Sequence, residues 1–151
     1  MNLIKKTALV TVLSAAIVGS NKTARNWCWD QCREHCTPFT NYRRDINNMA
    51  RGLGVESAKE RDAFMHAYTS AKLYLKVGEG FTNFLGKLNE TARPDNPPQD
   101  KFMDLYNNKK GIKIGKIMES KGLPIDSLPR IVLDSLKRGS FVTKYKNHLK
   151  K

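Results

Sequence analysis

Residues 61–75, RDAFMHAYTSAKLYL, decide the fold class, because Phe64, Ala67, Tyr68, Ala71 and Leu75 recur at the spacing of one buried helix face. His66 lies off that apolar stripe and shares a helix face with Asp62 and Ser70, one turn to either side. Ser57 followed by Glu60 has the form of a capping box that opens this helix, and Gly78 suits its C-terminal end.

Downstream, EGFTNFLGKLNE (79–90) places Phe81, Phe84, Leu85 and Leu88 on one face and predicts another helix. TARPDNPP (91–98) reads as a loop, since its three prolines remove backbone donors. From Asp100 a helical period returns in Phe102, Met103, Tyr106, Ile114, Ile117 and Met118, and SKGLP (120–124) ends it. Gly111 and Gly115, one turn apart inside that helix, each cost about 1 kcal/mol relative to Ala, so the pair points to a close helix contact. Asp126 or Ser127 can cap a last helix, with Pro129 in its first turn and Ile131, Val132, Leu133 and Leu136 toward the core. Upstream, residues 41–51 form a short amphipathic piece that ends in Gly-Leu-Gly.

Strand-like alternation is missing downstream of the N-terminal segment. The expectation is therefore an all-α small bundle of four to five helices in one domain, as suits 151 residues. The boundaries read as a signal segment over 1–20, a Cys-containing helical segment over 21–55, a helical core over 56–138 and a basic tail over 139–151.

The signal reading rests on Lys5 and Lys6 ahead of ALVTVLSAAIVGS (8–20), with small residues where a leader peptidase could cut. A membrane span takes about 20 apolar residues, so an uncleaved anchor is the weaker alternative. Export would make the protein periplasmic or secreted. Lys and Arg total 27 against 14 Asp and Glu, a formal net charge of +13, so the expected partner is anionic: a lipid surface, a cell-wall polymer or nucleic acid. Positive charge that serves solubility alone is the plainer reading.

RNWCWDQCREHC (25–36) carries Cys28, Cys32 and Cys36 at intervals of four, one strip on a helix. Neighbouring members are hard to bridge without distorting that helix, and three thiols are an odd number for an oxidising compartment. With His35 they offer four soft ligands, yet the spacing matches no common zinc knot. Trp27 and Trp29 point to opposite sides, one for packing and one for an interface.

His66, Asn89, Glu90, Asp104, Asn107 and Asn108 do not fit a simple core, and Asp104 and Asn108 share a helix face. Facing helices can build a site from such residues. Three readings compete. An Asp62, His66, Ser70 triad has suitable residue types, but helical side-chain directions give it poor geometry. In a metal-assisted hydrolase, His66, Glu90 and Asp104 would be both catalytic groups and ligands, with Asn89, Asn107 and Asn108 binding substrate. Only three histidines exist, so Mg²⁺, Mn²⁺ or Ca²⁺ suits the site better than Zn²⁺. In the third reading the same residues form a satisfied polar network that fixes helix register.

FMHAYTSAKL, then NE, then MDLYNNKKGIKIG also resemble a bacterial helical domain family whose members carry an HAYWSALL, HE, MDLYNN..G series. That family is functionally uncharacterised and occurs in exported proteins and at the ends of polymorphic toxins. The resemblance spans roughly residues 61–116 and implicates His66, Glu90, Asp104, Asn107 and Asn108, with Gly111 in packing. It names no substrate. Where the family has His before Glu, this chain has Asn89, which removes a ligand or base. Two function classes follow: an exported hydrolase of an anionic envelope or nucleic-acid polymer, or a non-enzymatic module for envelope binding, exclusion or immunity. A dedicated nucleic-acid binder is disfavoured, because no motif of that kind is present and the C-terminal tail is the one place where aromatic and basic residues mix.

Overall fold

The computed structural model describes residues 37–91 and 96–143. The signal segment, the Cys28/Cys32/Cys36 strip with Trp27, Trp29 and His35, and the tail from residue 144 lie outside the described residues. The chain divides into two compact units, residues 1–45 and 46–151. Of the first, residues 37–45 are described, and there Arg44 and Asp45 pair at the surface.

Among the described residues there are four α-helices, one 3-10 turn and no strand, so the fold is all-α. The helices are α1 (Thr37–Gly52), α2 (Ala58–Thr91), α3 (Pro98–Ser120) and α4 (Leu128–Lys137), with the 3-10 turn at Ile125–Ser127. α1 ends in a Schellman motif: Gly54 takes φ +83°, its N–H donates to the Arg51 carbonyl, and the Val55 N–H donates to the Ala50 carbonyl. Val55 and Ala50 are both buried, which adds the apolar contact that accompanies the motif. The same pattern closes α3 at Gly122 and α4 at Gly139.

α2 opens where expected, with the Ser57 carbonyl accepting the Arg61 N–H. Its defining feature is Gly78 at φ 78°, ψ 176°, a conformation essentially confined to glycine. Here the chain reverses. Before Gly78, contacts run parallel to α3: His66 meets Asn108 and Tyr74 meets Glu119. After it they run antiparallel, since Glu79 pairs with Lys116 at 2.7 Å and Gly86 lies against Asn108. The expected helix end at Gly78 is thus a break between two limbs, 58–77 and 79–91, and with α3 they make an up-down-up bundle. Thr82 Oγ1 donates to the Gly78 carbonyl at 2.7 Å and ties off the break.

The first limb and α3 approach closely enough for the α3 backbone to touch that limb directly. A Cβ on Gly111 would collide with the Ala67 carbonyl and approach Ala67 Cα to 2.9 Å, and one on Gly115 would sit 2.7 Å from the Tyr74 ring. The glycine pair therefore marks the close contact its spacing implies. Around it pack Phe64, Ala67, Tyr68 and Ala71 of α2, Ile112, Ile114 and Met118 of α3, and Leu128 and Val132 of α4.

Three apolar faces differ from expectation, the first being that of the second α2 limb, where Phe84 is exposed. In α3 the buried side carries Asp104, Asn107, Gly111, Ile114, Gly115 and Met118, while Phe102 and Ile117 are exposed. Close approach of α2 demands small residues there, so the large apolar side chains sit elsewhere. In α4 the buried line is Leu128, Val132 and Ser135, with Ile131, Leu133 and Leu136 half-buried. The helix begins at Leu128, which sets that stripe. The Ser127 hydroxyl donates to the Pro124 carbonyl at 2.6 Å and serves the 3-10 turn, not α4.

Candidate functional site

The parallel pairing of the first α2 limb with α3 brings two polar faces together. His66, nearly buried, stands at the centre. Its Nδ1 lies 3.1 Å from Asn108 Oδ1, and its Nε2 lies 3.2 Å from Asp104 Oδ1 and 4.0 Å from Asp62 Oδ1. The Ser70 hydroxyl donates to Asn108 Oδ1 at 3.0 Å, which fixes the amide that in turn fixes the imidazole. Asp62 is half-exposed and Asp104 buried, so one carboxylate meets solvent and the other is held in the helix interface.

One ligand atom from each of Asp62, His66 and Asp104 lies within 4.8 Å of the others, a separation that a single cation can span. These carboxylates line a cleft of about 220 Å³ together with Lys59, Asp100, Met103 and Asn107. The imidazole edge facing Asn108 is anchored, and the opposite edge faces the carboxylates. A metal-binding histidine characteristically has this arrangement, with its second ring nitrogen donating to a fixed oxygen. The same geometry works against the single-helix triad. Ser70 directs its hydroxyl to Asn108, and His66 turns its Nδ1 to that same oxygen.

His66, Asp104 and Asn108, all expected in the site, do come together. Asn107 is buried beside them, but both of its amide atoms are committed: Nδ2 donates to the Val142 carbonyl and Oδ1 accepts the Val142 N–H, each at 3.0 Å. It clamps the segment after α4 against α3. Asn89 is exposed near the end of α2. The side chain of Glu90 lies outside the described residues. Its backbone is helical, and the antiparallel register that sets 79 against 116 and 86 against 108 brings position 90 level with Asp104.

Asp62 is the member that the expected set left out. Its signal was the four-residue spacing to His66. Asp100 stands likewise one turn before Asp104. Among the described residues no buried side-chain nitrogen or oxygen lacks a hydrogen-bond partner.

The model of a domain of unknown function, DUF6973, matches residues 27–140. No curated protein and no solved structure matches the chain.

Proposed function

Because the chain belongs to the DUF6973 family, whose description carries no activity, the reading rests on geometry, and we propose a divalent-cation-assisted hydrolase centred on Asp62, His66 and Asp104. The observation that carries it is His66 Nε2 facing two carboxylates at the cleft while Nδ1 is held by Asn108. In this reading Nε2 and the two carboxylates hold Mg²⁺, Mn²⁺ or Ca²⁺, oxygen-preferring ions that suit a carboxylate-rich site. Bound there, such an ion would act as a Lewis acid toward a substrate oxygen and would orient the attacking water. Asn108 and Ser70 orient the imidazole. Asp100, on the cleft wall one turn before Asp104, is placed for further ligation or proton transfer.

The substrate class that suits a chain of net charge +13 is an anionic envelope or nucleic-acid polymer, met after export. The resemblance to domains at the ends of polymorphic toxins agrees with such an activity. A second reading is favoured by one observation: every buried polar side-chain atom among the described residues is already satisfied, so the cluster is complete as a register-fixing network. The protein would then be a binding, exclusion or immunity module.

Thermal melting of the wild type, His66→Ala and Asp62→Ala, each in EDTA and with each cation, separates the two. A hydrolase site predicts a cation-dependent stabilisation, about 2.7 kcal/mol at a hundredfold excess over Kd, that is lost in both variants. Hydrolysis of single-stranded nucleic acid and of anionic cell-wall polymer is then screened with the cation that binds. No cation response, together with a large stability loss in His66→Ala, would establish the network reading instead.

A further inference from the structure

The face of α3 opposite the site has a composition that its packing does not require. Phe102, Tyr106, Lys109 and Lys113 follow one another at helical spacing, half a turn around the helix from Asp104. Lys110 and Lys116 flank them, so four lysines fall within eight residues. No carboxylate occurs between residues 105 and 118. Lys116 is paired with Glu79, and the Lys110 ammonium lies 5.2 Å from the Tyr106 ring centre.

Exposed apolar side chains bracket this row. Phe102, against Tyr106 at 6.3 Å between ring centres, is 54% exposed at one end. Ile117 is 41% exposed at the other. Fifteen residues of helix separate Phe102 from Ile117, about 22 Å at 1.5 Å per residue. A straight helix thus presents a row of cations between two apolar ends.

We propose that this face docks the protein on an anionic lipid surface, with the lysines at the headgroups and Phe102 and Ile117 entering the boundary with the acyl chains. The charge complementarity is with any polyanion, and the aliphatic end decides between them. An exposed aliphatic side chain such as Ile117 has no base-stacking use, and lipid gives it buried area. Lysine is also the residue expected where point charges meet a headgroup layer, each contributing attraction that salt screens. The Asp62, His66 and Asp104 cluster is on the other side of α3, so docking stands whether or not that cluster binds a cation.

The test is co-sedimentation of the full chain with phosphatidylcholine vesicles, with and without phosphatidylglycerol, at low and high salt. Binding is expected only with phosphatidylglycerol and should weaken as salt rises. Lys109→Glu combined with Lys113→Glu should reduce it on the order of tenfold or more. Lys109→Arg combined with Lys113→Arg should retain it. Ile117→Ser alters an exposed position, should melt like wild type, and should also weaken vesicle binding. Vesicle binding that the Glu and Ser variants leave unchanged would overturn the proposal and assign the attraction to the basic tail. So would binding confined to a single-stranded oligonucleotide, or no binding to either.

Discussion

At the residue scale the decisive position is Gly111, because the whole site depends on how closely α3 approaches the first limb of α2. A Cβ there meets the Ala67 backbone, which cannot rotate away as a side-chain tip can. Gly111→Ala should therefore cost about 3 kcal/mol or more by forced separation of the helices, read as a lower urea midpoint. Gly80→Ala is the control, since nothing lies within 4 Å of its Cβ position and it sits in a helix. It should gain about 0.5–1 kcal/mol. Asn108 is the second key residue: Asn108→Ala removes the oxygen that faces His66 Nδ1 and accepts the Ser70 hydroxyl. Loss of that acceptor should cost about 1–3 kcal/mol. In the hydrolase reading it should also weaken cation affinity about 10- to 100-fold, measured by titration of melting temperature.

At the scale of the element, α2 shows how one residue sets topology. Its two limbs are continuous in sequence, yet they run in opposite directions relative to α3 because Gly78 takes a backbone conformation that other residues avoid. Gly78→Ala should destabilise by about 1–3 kcal/mol, and since no side chain crowds the position, the loss is conformational. The check is a chemical denaturation curve displaced to lower midpoint with an unchanged slope. The helices themselves were legible from period and punctuation: the stripe from Phe64 to Ala71 and the glycine after Ser120 sit where those rules put them, and α3 opens at Pro98, two residues ahead of its expected start. The buried side of α3 was not. Periodicity scores apolar residues, and this helix gives its contact face to glycines and polar groups because the Ala67 and Ala71 backbone and the Tyr74 ring pack closely against it.

At the scale of the whole molecule, contacts between limbs join residues that no local rule connects. Asp104 and Asn108 could be seen to share a face, as could Asp62 and His66. That the two faces meet follows from the reversal at Gly78, which makes the first limb and α3 parallel neighbours. The sequence thus indicated the ingredients of the site and left their pairing, and the place of Asp62 in it, to tertiary structure. The same packing fixes a pH response. Tyr68 is raised above the ordinary 10.0 by burial and by the charge of Asp126. Tyr74 is raised by its hydrogen bond to Glu119, then by desolvation and the charges of Glu119 and Glu79. Both phenols therefore keep their protons in the folded chain at pH values where the unfolded chain has released them. Stability from these groups is complete below pH 10, where both states are protonated, and falls as pH rises above 10 toward the folded values. Urea midpoints taken at pH 8, 9.5 and 11 should drop most steeply over the last interval. Tyr68→Phe combined with Tyr74→Phe should flatten that drop relative to wild type, because the groups that lose protons on unfolding are gone. An equal drop in the double variant would show that these two phenols do not carry the alkaline loss of stability.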